Sequence, residues 1–101
     1  MQKVVRGGQV AVLVSPGYGS GWSTWNNNEA LLYDPDMVAW VEADKPGDPP
    51  DIEAKYGDML FMAGAYDLVI HWVPIGARFR IEEYDGYETL RLENQYQWYT
   101  A

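Results

Sequence analysis

The sequence predicts an α+β domain, a mostly antiparallel sheet with one or two helices packed on one face. Three observations carry that prediction. A β-branched apolar run, Gln9 to Val14, precedes a stretch with helix signals from Asp34 onward. After Gly57 the hydrophobic period changes to two. The chain then presents two alternating runs around Asp85-Gly86, the dipeptide of a two-residue type I′ turn. At 101 residues the whole chain, 1–101, is read as a single domain.

Taken in order, Gln9-Val-Ala-Val-Leu-Val14 reads as a buried strand between the breakers Gly7-Gly8 and Ser15-Pro16-Gly17, with Lys3 to Val5 as an edge extension. A glycine- and aromatic-rich loop follows from Gly17 to Asn26. Glu29 to Tyr33 fits either a strand or a turn of helix. Asp34-Pro35-Asp36 is a helix start: Asp34 can cap free backbone N–H groups, Pro35 suits the first helical position, and Asp36 favours the positive end of the dipole. Met37, Trp40 and Val41 then place one face inward, to about Asp44. The linker Lys45 to Pro50 holds three of the six prolines and stops this helix. Asp51 to Tyr56 reads as a second, shorter helix ended by Gly57.

Met59 to Met62 and Asp67 to Val73 read as strands. In the last hairpin, Arg78 to Tyr84 and Tyr87 to Glu93 flank the turn, and the turn sets the register. Tyr84 faces Tyr87, Glu83 faces Glu88, Ile81 faces Leu90, and Phe79 faces Leu92. Phe79, Ile81, Leu90 and Leu92 thus share an apolar side. Tyr96 to Tyr99 suggests a final short strand.

Composition narrows the function. Hydrophobic residues make up 48% and charged residues 22%, which fits a folded globule. Five Trp and eight Tyr favour a recognition surface as well as a core. With no cysteine, disulfides, thiolate metal sites and cysteine nucleophiles are excluded. Neither a signal-peptide run nor an apolar stretch of membrane length occurs, so a cytoplasmic location is expected. Fifteen acids against seven bases give a net charge of −8. That disfavours direct nucleic-acid binding and suits a protein that imitates nucleic acid in a basic groove.

Two constellations bear on chemistry. In the Gly17–Asn26 loop, Gly17, Gly19 and Gly21 let a ligand approach the main chain. Tyr18, Trp22 and Trp25 offer stacking faces, and Ser20, Ser23, Thr24 and Asn26 to Asn28 offer neutral donors and acceptors. The mixture suits a flat polar ring, and the G-x-G-x-x-G and G-K-[ST] fingerprints are absent. The same residues also fit a tight connection whose tryptophans anchor in the core. On the hairpin's other side Arg80 faces Arg91 and Arg78 faces Glu93. This is either an anion site or a surface network neutralised by Glu82 and Glu93. Glu83 and Glu88 are read as solvated acids at an exposed hairpin end, and His71, the single histidine, as structural. No nucleophile, base or metal signature is evident, so an enzyme is not expected.

The segments Gly17-Tyr-Gly-Ser-Gly-Trp-Ser-Thr-Trp25 and Arg78-Phe-Arg-Ile-Glu-Glu-Tyr-Asp-Gly-Tyr-Glu88 resemble a family of small uncharacterised proteins of tailed bacteriophages and prophages. The resemblance spans most of the chain, with Pro46 to Pro50 expected to depart most. It implies a strand, a glycine- and tryptophan-rich loop, an acidic helix and a hairpin. It also implies life in the host cytoplasm, and brings no established activity. In that context the leading expectation is a non-enzymatic accessory protein, without cofactor, that binds a small nucleotide-like ligand or signal, sequestering it in counter-defence. Tyr18, Gly19, Gly21, Trp22, Trp25 and Asn26 would hold the base, and Arg80 and Arg91 the anion. The alternative is an acidic protein-binding inhibitor of a host nucleic-acid-binding or defence protein. A homo-oligomer is compatible with either.

Overall fold

The computed structural model describes residues 2–93 and 100. Strand β1 (Val5–Arg6) and β2 (Gln9–Val14) form a hairpin in which Gly7 and Gly8 both take positive φ. The glycine pair is thus a turn between paired strands, and the edge strand covers Val5–Arg6 where the sequence suggests Lys3 to Val5. Strand β3 (Val69–Pro74) pairs antiparallel along the whole of β2, from Gln9 opposite Pro74 to Val14 opposite Val69. A second antiparallel sheet is the hairpin of β4 (Phe79–Tyr84) and β5 (Tyr87–Leu92). Its pairs run from Phe79 opposite Leu92 to Tyr84 opposite Tyr87, the register that the Asp85-Gly86 turn predicts. Asp85 and Gly86 both have positive φ, as that turn requires.

The elements between β2 and β3 are short. They are α1 (Ser23–Asn26), a 3₁₀ turn at Glu29–Leu32, α2 (Pro35–Glu42), α3 (Glu53–Tyr56) and a 3₁₀ turn at Ala63–Asp67. Two segments depart from the sequence reading, and one open choice is decided. The second half of the Gly17–Asn26 loop is a helical turn, ended by Asn27 in the left-handed conformation. Glu29–Leu32 resolves as a 3₁₀ turn, and the Asn28 side chain accepts the Ala30 N–H there. Residues Met59 to Met62 form no strand. The Asn26 side chain takes both backbone hydrogen bonds of Phe61, so that backbone is satisfied without a ladder. The tail Tyr96 to Tyr99 lies outside the described residues.

Helix α2 begins as expected. The Asp34 carboxylate accepts the Met37 N–H at 2.9 Å, and Pro35 occupies the first turn. Met37, Val38 and Trp40 are buried and Val41 is half-buried.

Strand β2 is the middle of the molecule. Ala11 and Leu13 on one face meet Trp22, Leu31, Met37, Trp40, Ile52 and Leu68. Val12 and Val14 on the other meet Leu32, Tyr33 and Val73, with Phe79, Ile81, Leu90 and Leu92 packed against them. The helical segment and the β4–β5 hairpin therefore cover opposite faces of one small sheet. A strand buried on both sides reads as a continuous apolar run, which Val10 to Val14 is.

Candidate functional site

The loop and the hairpin are separated by some sixty residues of sequence, and the fold joins them. Gly19 N–H donates to Asp85 O at 2.8 Å, and Glu88 N–H donates to Ser15 O at 2.9 Å. A Cβ on Gly86 would lie 2.4 Å from Ser20 N, so only glycine lets the hairpin tip meet the loop backbone this closely.

The joint is organised by one side chain. Glu88 is 1% exposed. One carboxylate oxygen accepts the Ser15 N–H at 3.0 Å. The other accepts the Trp22 N–H at 2.9 Å, the Thr24 N–H at 3.2 Å and the Thr24 hydroxyl at 2.5 Å. This corrects the reading of Glu88 as a solvated surface acid. A buried carboxylate is tolerable only with such a set of donors. Glu83, its cross-strand neighbour, stays exposed and accepts from Gly86 N–H and the Trp25 indole N–H. Two of the loop's backbone donors, the N–H groups of Trp22 and Thr24, are thus occupied by the protein's own carboxylate in place of an exogenous anion.

The expected site residues separate into three groups. Trp22 is fully buried, its indole N–H donating to Leu31 O at 2.8 Å, and Gly21 is buried beside it. Trp22 is a core residue, not a stacking face for a ligand, because the α1 turn aims it under the sheet. Tyr18 is exposed and packs on Tyr87, ring centroids 5.0 Å apart, next to the exposed Gly19. Trp25 lies on the other side of the hairpin tip. It meets Phe61 edge-on at 6.0 Å, and Asn26 holds the Phe61 backbone by N–H and carbonyl at 2.7 and 3.1 Å.

Arg80 and Arg91 stand opposite one another, as the register predicts. Glu82 lies 3.0 Å from Arg80 and 3.6 Å from Arg91, and Glu93 lies 3.6 Å from Arg78, which makes an exposed ion-pair network. The pair shares the Tyr87 side of the hairpin, about 13 Å along the strand from it. Trp25 instead binds Glu83, whose side chain alternates to the opposite face. The structure therefore does not bring Trp22, Trp25, Asn26 and the two arginines into one pocket.

Sequence reasoning missed two participants. For Glu88 a signal existed: the register puts it on the same side as Ile81 and Leu90. For Phe61 there was none, since the Asn26 clamp is a contact across 35 residues.

A second buried acid organises the helical segment. Asp34 accepts from Lys55 Nζ at 2.8 Å and Tyr56 OH at 2.7 Å, besides its capping bond. Burial alone would raise its carboxyl. The hydrogen bonds from Lys55, Met37 N–H and Tyr56, with the Lys55 charge, outweigh burial and hold it below the usual range. Burial and the bond to Asp34 push the Tyr56 phenol up to about 12.

Charge is unevenly distributed over this frame. Between Glu29 and Asp67 lie ten of the fifteen acids and two of the seven bases, so this segment carries the whole net charge of −8. All ten except Asp34 are exposed. Both bases are engaged, Lys55 with Asp34 and Asp36 and Lys45 with Tyr66 O. The remainder of the chain is balanced.

No helix among the described residues is long and apolar enough to cross a membrane. Comparison with protein families, with curated proteins and with solved structures finds no match.

Proposed function

We propose that the protein is a non-enzymatic binding protein that sets its acidic segment, Glu29 to Asp67, against a basic surface of a partner protein. The observation that carries this reading is the segregation of charge: nine exposed acids in one segment against two bases that are already engaged. Such a field steers a cationic partner and repels nucleic acid. The resemblance to tailed-bacteriophage proteins makes a host nucleic-acid-binding or defence protein the natural target, with the acidic segment standing in for a nucleic-acid backbone.

The test is capture from bacterial lysate with the wild-type chain and with a variant carrying Asp44→Asn, Asp48→Asn, Asp51→Asn and Glu53→Gln. The expected result is recovery of nucleic-acid-binding proteins that duplex DNA displaces and the variant fails to retain. Equal recovery by both chains, unaffected by DNA, would overturn it.

A nucleotide-like ligand is the second reading, favoured by one observation. The exposed Tyr18–Tyr87 ring pair lies on the same side of the hairpin as Arg91 and Arg80. Isothermal titration with cyclic and ADP-ribose-type nucleotides checks it, and absence of heat across the panel would remove it.

A further inference from the structure

We infer that the cleft between Trp25 and the 56–61 segment is the anchoring point of this interface and takes an arginine side chain from the partner. The inference rests on the acidic-face reading and names what that face grips. The cleft is open, about 270 Å³, and its 56–61 wall belongs to the acidic segment. Trp25 and Phe61 form its aromatic walls, 37% and 57% exposed, and Met59 beside them is 89% exposed. Tryptophan, aromatic rings and methionine left in solvent together are typical of an interface core.

Two features make the site built in place of incidental. Residues 57–62 have no regular structure, yet Asn26 satisfies Phe61 N–H and C=O with one side chain and fixes that ring beside Trp25. Preorganisation of this kind lowers the ordering cost of binding. The second feature is the sign of the surroundings. Asp58 lines the cleft, Glu83 holds the Trp25 indole N–H, and among the described residues no lysine or arginine lines it. A neutral apolar side chain would leave these carboxylates without a counter-charge. A phosphate would be repelled by them. A guanidinium satisfies both features, stacking its plane on the rings while its edge donates to a carboxylate. An ammonium group fits less well, because it is more strongly hydrated and cannot stack as a plane.

The experiment is titration of ¹⁵N-labelled protein with three short peptides: arginine-rich, lysine-rich of equal length and charge, and uncharged aromatic. The Trp25 indole N–H should shift with the arginine peptide while that of buried Trp22 stays in place. Arginine should bind roughly five- to tenfold tighter than lysine, the ratio a partly desolvated cation–π contact supplies. Phe61→Ala should erase that ratio, and its fold can be checked by the Trp22 resonance, since the Asn26 clamp uses backbone alone. Asp58→Asn should weaken both cationic peptides less than Phe61→Ala weakens arginine. Equal binding of the arginine and lysine peptides, unchanged by Phe61→Ala, would overturn the cleft and leave the acidic-face reading standing. Binding of neither cationic peptide would overturn both. Preference for the uncharged peptide would overturn the arginine assignment.

Discussion

Glu88 concentrates more of the fold in one side chain than any other described residue. Its carboxylate joins the end of β2, the start of α1 and strand β5 through four accepted hydrogen bonds. Replacing it with alanine leaves the buried N–H groups of Ser15 and Trp22 and the part-buried one of Thr24 without this partner. Each such group costs about 1–3 kcal/mol, so Glu88→Ala should lose roughly 3–5 kcal/mol in urea denaturation. Glu88→Gln keeps the shape and one acceptor oxygen, and should lose less. Asp34 supplies the pH dependence. Its carboxyl is lowered in the folded state from an ordinary value of 3.8, so its contribution is present above that value and is lost as pH falls below it. Tyr56 is raised from 10.0 to about 12, so its contribution is present below pH 10 and is lost as pH rises through 10 to 12. Thermal unfolding followed across pH should show a plateau bounded by these two losses. Asp34→Asn should flatten the acid side.

Among the elements, the β4–β5 hairpin was fully legible and its neighbour was not. Asp85-Gly86 sets turn type, turn type sets register, and every observed pair follows. The 59–62 segment misleads because four apolar residues in a row satisfy a strand template whatever the backbone does. There the Asn26 side chain supplies the hydrogen bonds that a partner strand would have supplied. The docking of hairpin on loop is equally invisible locally, yet it makes a firm prediction. Gly86→Ala places a methyl against Ser20 N at a left-handed φ of 84°. It should lower stability by more than about 2 kcal/mol, with strain and overpacking both contributing. Amide exchange should accelerate first at Gly19 and Glu88, whose N–H groups make the joint. Uniform acceleration across the sheet would argue against a local undocking.

At the scale of the molecule, a small sheet separates the arginine-bearing hairpin, with a net charge of −2 over residues 78–93, from a segment that carries −8. A charge layout of this kind acts mainly on encounter. Association of an arginine-rich peptide should slow as salt rises from about 50 to 200 mM, where screening shortens below about 10 Å. Replacing Asp44, Asp48 and Asp51 with Asn should slow association several-fold and leave dissociation nearly unchanged in stopped-flow traces. An effect confined to dissociation would contradict steering.

The sequence by itself determined the α+β class, the Asp34 cap, the hairpin and its register, because each rests on contacts between near neighbours or on the parity of a strand. The tertiary structure decided the fate of the loop. Its glycines, tryptophans and hydroxyl groups have the composition of a ligand site. Trp22 instead enters the core, the N–H groups of Trp22 and Thr24 close on Glu88, and Trp25 and Asn26 turn toward Phe61. Those partners lie 35 to 66 residues away along the chain. No local pattern specifies which of several polar groups will satisfy a buried donor; that choice is made when the layers pack.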